Sequence, residues 1–581
     1  MRRAARYLIT VTMCSSVIAC GGASAPPAPA TGSGDSAFRQ LAGEILEDIY
    51  KRNPTLATDL GIHKYDDVIE NYSAEAVAAE IAATKSFRAK LDAVDASTLT
   101  LDAQLDLEQL KHSLDGTLLQ DEVIKMWTKD ADAYSSGITN TAYGMIKRTF
   151  APPDQRLKLL IARMKLMPAA LAEARKNLDN PPKIYTEIAI EQLDGSRNFF
   201  KTAVAEAFPE VKDAALLAEF KKVNAEVMTA LADYKKWLQT DLLKRSNGSF
   251  AYGADTYQKR LFIDEMISTP IAELLAIAEA DLHKNHAAFA ESAKQLDPNK
   301  TTQQILADLQ KDFPPPSQLL ARTQSELDAI AQFMRDKKII TIPSAPPARV
   351  KETPPFLRAT TSASMDIPGP FETVATEAYY NMTLPDPSWP KKQQDEFMTQ
   401  WYNAAITNVS VHEVWPGHYL QFLYARQFPS DVRKVLGANS NSEGWAHYSE
   451  QMMLDEGFHG DDPRFRLAQI QDALLRDVRF IVGIKMHTQG MTMAQAEEMF
   501  VKDGYQPAPV AKSETKRGTS DATYGYYTMG KLMILKLRDD YKARMGAQYT
   551  LQNFHDTFIK LGPLPLPLIR KAMLGESGKP F

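Results

Sequence analysis

Cysteine is almost absent: only Cys14 and Cys20 occur in 581 residues, and both precede residue 21. The rest of the chain therefore has no disulfide framework, no thiol nucleophile and no thiolate ligand. Any metal it holds must rest on histidine and carboxylates. The apolar run at 7–19 is too short to cross a bilayer. No basic run or stripe points to nucleic acid, the formal net charge being −5. No fixed-period repeat suggests a solenoid. With 44% hydrophobic and 24% charged residues the composition is that of a soluble globular protein able to bury a large core. At this length two lobes around a deep cleft are expected.

The amino terminus reads as an export signal. Arg2, Arg3 and Arg6 form a basic start before the 7–19 run. Val17-Ile18-Ala19-Cys20 resembles a bacterial lipobox, in which Cys20 would be lipidated and become the mature terminus. A plain cleaved signal with an incidental cysteine is the alternative. A tether rich in glycine, alanine, proline and serine follows at 21–34. Loss of the signal removes three arginines and no acid, moving the formal charge from −5 to −8. The expected location is the bacterial cell envelope, at its periplasmic or outer-membrane face, with membrane contact through the lipid only. The oligomeric state is not legible.

The spacing of apolar residues predicts a mainly α protein. Segments 38–50, 157–178, 214–243 and 269–296 carry them three and four apart, with proline and glycine at their ends. Between 339 and 385 the texture turns proline-rich, with short β-favouring pieces at 339–342, 356–361 and 376–384, predicting a small sheet. Helical patterning then resumes, and 464–488 has the apolar width of a buried central helix. The expected organisation is a signal (1–19), a lipidated cysteine and tether (20–35), an N-terminal helical lobe (36–335), a strand-bearing segment (336–390) and a catalytic helical lobe (391–581).

The chemistry concentrates at His412-Glu413-Val414-Trp415-Pro416-Gly417-His418. In zinc peptidases two histidines at i and i+4 share a helix face, and the glutamate after the first reaches the water. Here the second histidine stands at i+6, which a regular helix would place roughly 120° away. Pro416 lacks an N–H and clashes with the carbonyl of His412, and Gly417 tolerates non-helical angles, so the helix must be interrupted. A two-residue bulge would return His418 beside His412. The alternative is a helix ending at Trp415 with two unrelated histidines. Twenty-five residues after His418, Glu443, His447 and Glu450 fall at i, i+4 and i+7 on one helix face. Glu443 completes a His/His/carboxylate set for one zinc ion. His447 and Glu450 read either as groups behind the ligands or facing substrate, or as a buried hydrogen-bonded pair without chemistry.

These residues carry a resemblance. His412-Glu413, Pro416-Gly417-His418 and Glu443-Gly444-Trp445-Ala446, with Tyr448 and Glu450, resemble the bacterial lipoprotein family of the domain of unknown function 885 type. Tyr379-Tyr380, Pro385-Asp386, Leu474-Leu475-Arg476-Asp477 and Tyr527, Met529-Gly530-Lys531 extend the match. That family is in turn distantly similar to helical gluzincin peptidases of the angiotensin-converting-enzyme, thimet-oligopeptidase and thermostable-carboxypeptidase types. The resemblance implies a helical body split by a channel and peptide hydrolysis. It also implies that 376–384, with Tyr379 and Tyr380, is an edge strand pairing with substrate backbone; a buried strand with an aromatic pair is the alternative.

The expected reaction is hydrolysis of oligopeptide bonds, with Glu413 as general base. Tyr527 is the first candidate for the oxyanion donor and Tyr524 the second, each with a packed structural tyrosine as alternative. Arg517 is a candidate clamp for a substrate carboxylate, or else a surface salt bridge. Hydrolysis of a non-peptide amide or ester is the second reading. A non-catalytic envelope binding lipoprotein is the third, against which the presence of Glu413 argues.

Overall fold

The computed structural model describes residues 32–344, 346–354, 358, 362–575 and 578–581. Cys20, the export signal and most of the tether lie outside them, as does most of the expected strand piece 356–361. The fold is mainly α with one small sheet, as the periodicity predicts. The helix Ala214–Thr240 shows why. Leu216, Phe220, Val223, Val227, Leu231, Tyr234 and Leu238 are buried at steps of three or four residues. The Asp213 side chain caps its first turn by accepting the N–H groups of Ala215 and Leu216.

Three large apolar cores, besides a small cluster of Tyr402, Ala404 and Ala468, organise the described residues. Helices Asp35–Arg52, Pro54–Leu60 and Leu101–Leu118 share one, which Val432 also enters. Ala131–Lys147, Pro153–Asn177, Lys183–Phe199 and Ala214–Thr240 enclose the second. The third and largest runs from Tyr257 to Leu574, with Leu105 joining it. Its axis is Pro463–Thr488, most of whose residues are buried, packed against Ile271–Leu296 and Ala508–Ser520.

The sheet has the order β1-β3-β2, with β1 Arg349–Glu352 parallel to β3 Tyr379–Met382 and β2 Ala363–Asp366 antiparallel to it. Two expectations change here. The 339–342 piece is not a strand: Ile339 and Ile340 are buried, but the Ile339 carbonyl accepts from His555 and the Thr341 amide donates to Asp556. Side chains there satisfy the backbone that a ladder would otherwise serve. Nor is β3 an edge strand. It is the middle one, with Tyr380 wholly buried, so the buried-strand alternative holds and no substrate can pair with it.

Candidate metal centre

The helix Asn403–Glu413 stops one residue after His412, and a second helix, His418–Ala425, begins at the other histidine. The hydrogen bonds show what joins them. Gly417 N–H donates to the Val411 carbonyl and Leu420 N–H to that of Val414, each six residues back instead of four. Two extra residues have thus been taken into the turn, and the register resumes when Gln421 donates to Gly417. Glycine is required at 417, because a Cβ there would fall 1.8 Å from the His412 carbonyl oxygen. The Pro416 carbonyl is served by the Trp445 indole N–H at 2.8 Å.

The bulge delivers both imidazoles to one carboxylate on the helix Asn439–Asp455. His412 Nε2 lies 3.4 Å and His418 Nε2 3.3 Å from Glu443 Oε2, and the donor atoms all fall within 4.8 Å of one another. A tetrahedral ion with bonds of about 2.0–2.1 Å keeps neighbouring donors about 3.3 Å apart. Neither imidazole approach is aligned as a hydrogen bond, so the buried Oε2 is left without a partner. Two nitrogens and an oxygen converging on a point between them, instead of bonding each other, fit a zinc ion. The His412 side chain is 10% exposed and that of Glu443 25%, so the donors are enclosed but reachable.

Electrostatics agree with this arrangement. Burial opposes the charged form of His412, but the Glu443 and Glu450 carboxylates outweigh it and push the imidazole up to about 9. Burial would raise Glu443, yet His418 and His412 hold it well below the usual carboxylate range.

Behind His412 stands Glu450, which lies one turn beyond His447 on the helix of Glu443. Its Oε1 is 2.7 Å from His412 Nδ1, and Arg476 reaches both of its oxygens at 2.9 and 3.1 Å. His447 Nδ1 is 3.2 Å from Oε2, and Asn408 bridges from Glu450 to Asp472. Burial is outweighed by Arg476 and its neighbours, so Glu450 stays ionised. Burial, with Lys531 and Arg476 nearby, pushes His447 down to about 3, so it is neutral and turned to Glu450, not to the ligand cluster. Sequence reasoning missed the roles of Arg476, Asn408 and Asp472. For Arg476 and Asp472 the available signal was charge in the middle of the apolar 464–488 stripe; Asn408, on another helix, gave none.

The remaining candidates divide. Glu413 ends its helix half-buried, its carboxylate accepting the Met365 N–H of β2 at 3.3 Å. Tyr527 reaches the centre: its ring stacks 6.4 Å from that of His412, with Arg476 and Arg479 over it at 5.5 and 5.0 Å. Burial and the Glu443 charge push its phenol up, so it keeps its proton at neutral pH. The helix Tyr526–Met545 comes this close because Gly530 meets Gly444, where a Cβ on Gly530 would lie 1.9 Å from the Ser440 carbonyl oxygen. Tyr524 is wholly buried against Gly483 and Gly518, between the helices Pro463–Thr488 and Ala508–Ser520. Arg517 pairs with Asp521 at 3.0 Å and donates to the hydroxyls of Tyr526 and Tyr527 at 3.0 and 3.4 Å. Tyr379 lies under the Lys351 ammonium, 3.5 Å from its ring centroid.

No curated protein matches the chain. Solved structures share its fold, two of them described as lipoproteins. A candidate lipoprotein of unknown function from Shewanella oneidensis is 26% identical, with 92% of this chain and 99% of that one covered at a TM-score of 0.79. A candidate lipoprotein from Colwellia psychrerythraea is 18% identical, with 93% and 98% covered at 0.79. Residues 54–573 match the family described as bacterial protein of unknown function, DUF885, and the chain belongs to that family.

Proposed function

We propose that the protein is a zinc-dependent metallopeptidase that hydrolyses oligopeptides at the cell envelope. The carrying observation is the convergence of His412 Nε2, His418 Nε2 and Glu443 Oε2, with the buried oxygen unbonded between the imidazoles. His412, His418 and Glu443 would hold the ion, which when bound supplies Lewis acidity toward a carbonyl and lowers the pKa of water toward neutrality.

The chain's own groups do the rest. Glu413, next to a ligand and at the outer edge of β2, takes a proton from the attacking water on its carboxylate and passes it to the leaving amine nitrogen. Tyr527, protonated and stacked by His412, donates its hydroxyl to the oxyanion. Arg517 sets that hydroxyl from the other side while paired with Asp521. Glu450 fixes His412 with its Nε2 lone pair turned inward. The location is supported by the lipobox-like Cys20 and by the lipoprotein descriptions of the two solved relatives.

The test is digestion of a peptide library, read by mass spectrometry, with wild type and Glu413→Gln side by side and zinc measured in both. Wild type is expected to carry one zinc and cleave. The variant should keep its zinc and lose about a hundredfold to ten-thousandfold in kcat. Absence of stoichiometric zinc from wild type, or full activity in the variant, would refute the proposal.

A further inference from the structure

A cavity of about 250 Å³ opens between the helix His418–Ala425 and the start of Asn439–Asp455, the helices that carry His418 and Glu443. Two of its lining residues adjoin ligands directly. Ser442 precedes Glu443, and the Phe422 ring stacks on that of His418 with centroids 6.0 Å apart. Phe422 is 37% exposed, an aromatic face left open one helical turn from a metal donor.

Ala425, Phe428, Val435, Leu436, Ala438 and Pro563 form the apolar part of the wall, which Asn439 and Arg433, the latter already paired with Asp102 and Asp106, also line. A dry apolar cavity of about 150 Å³ already holds a benzene ring. This one has room for a large side chain, aromatic rings included. Its charged groups are both cationic. Lys434 stands in the lining, which opposes a lysine or arginine guest. Gln421, 4% exposed, gives its amide N–H to Asn441, while its Oε1 has no partner.

We infer that this cavity is the specificity subsite of the centre, receiving a large apolar or aromatic side chain of the residue next to the scissile bond. The inference rests on the peptidase reading, and burial of the side chain would supply the preference. Large apolar residues should be favoured at one position flanking the cut, and lysine and arginine disfavoured there.

The experiment uses full-length zinc-loaded protein and peptide series varying one flanking position at a time. Ala425→Phe narrows the cavity and should reduce the ratio of kcat/KM for phenylalanine over alanine peptides roughly tenfold or more. Leu436→Ala widens it and should move the optimum toward tryptophan. Zinc content and thermal midpoint establish that each variant is folded and loaded. A wild type that cuts no peptide removes the peptidase reading and the subsite with it. Cleavage indifferent to both flanking residues, or a ratio that neither variant changes, overturns the subsite alone.

Discussion

His412 depends on Glu450 for its orientation. With Oε1 at 2.7 Å from Nδ1, and Arg476 anchoring the carboxylate from behind, the imidazole can present only Nε2 to Glu443 and His418. Replacing that carboxylate by its amide, Glu450→Gln, should weaken zinc binding about 10- to 100-fold, as measured by competition with a chelator; an unchanged affinity would reduce Glu450 to a packing role. The same pair gives a pH signature. In chelated protein His412 holds its proton up to about 9, against about 6.5 when unfolded. A histidine raised in this way stabilises fully below its unfolded value, and the contribution fades as pH climbs from about 6.5 through 9. Zinc requires the neutral ring, so loaded protein escapes this loss. Thermal midpoints of chelated and loaded protein should diverge across that window; parallel curves would contradict it. At this scale the sequence exposed the groups whose spacing is local: His412 and Glu413, then Glu443, His447 and Glu450 along one helix face. Arg476 and Asn408 stayed hidden because their partners come from other helices.

Among the elements, the join at 414–417 is the one most sharply specified. Its glycine faces the His412 carbonyl so closely that Gly417→Ala must push the ligand helix or the turn aside. The expected cost is about 3 kcal/mol of stability, with loss of zinc stoichiometry. Denaturation and metal analysis check it, and a variant that keeps both would show the turn to be more yielding than its contacts imply. The helix break was legible from Pro416 and Gly417, since both act on the backbone locally. The sheet was legible only at β3, where tyrosines favour a strand. β1 and β2, reading Arg-Val-Lys-Glu and Ala-Ser-Met-Asp, carry little β preference and are strands because β3 offers them an edge on each side. The 339–342 piece shows the converse, β-favouring residues whose backbone finds side chains instead of a neighbour.

For the molecule as a whole, Arg433 ties the beginning of the chain to the approach of the Glu443 helix. Wholly buried, it pairs with Asp106 at 2.7 Å and with Asp102 at 3.0 Å, both on the helix Leu101–Leu118. Arg433→Leu strands Asp106 in the interior and should cost about 3–5 kcal/mol, read from the denaturation midpoint; a shift under about 1 kcal/mol would show the tie to be dispensable. Helical class was plain from periodicity, but such ties join residues more than three hundred positions apart and leave no local pattern. The bulge between the histidines also has a mechanical consequence. Two donors on one unbroken rod keep their spacing whether or not anything joins them. Here His412, His418 and Glu443 each ride a different rod. An ion gripping all three is therefore a clasp, and the strength of its grip and the alignment of the three rods are a single degree of freedom.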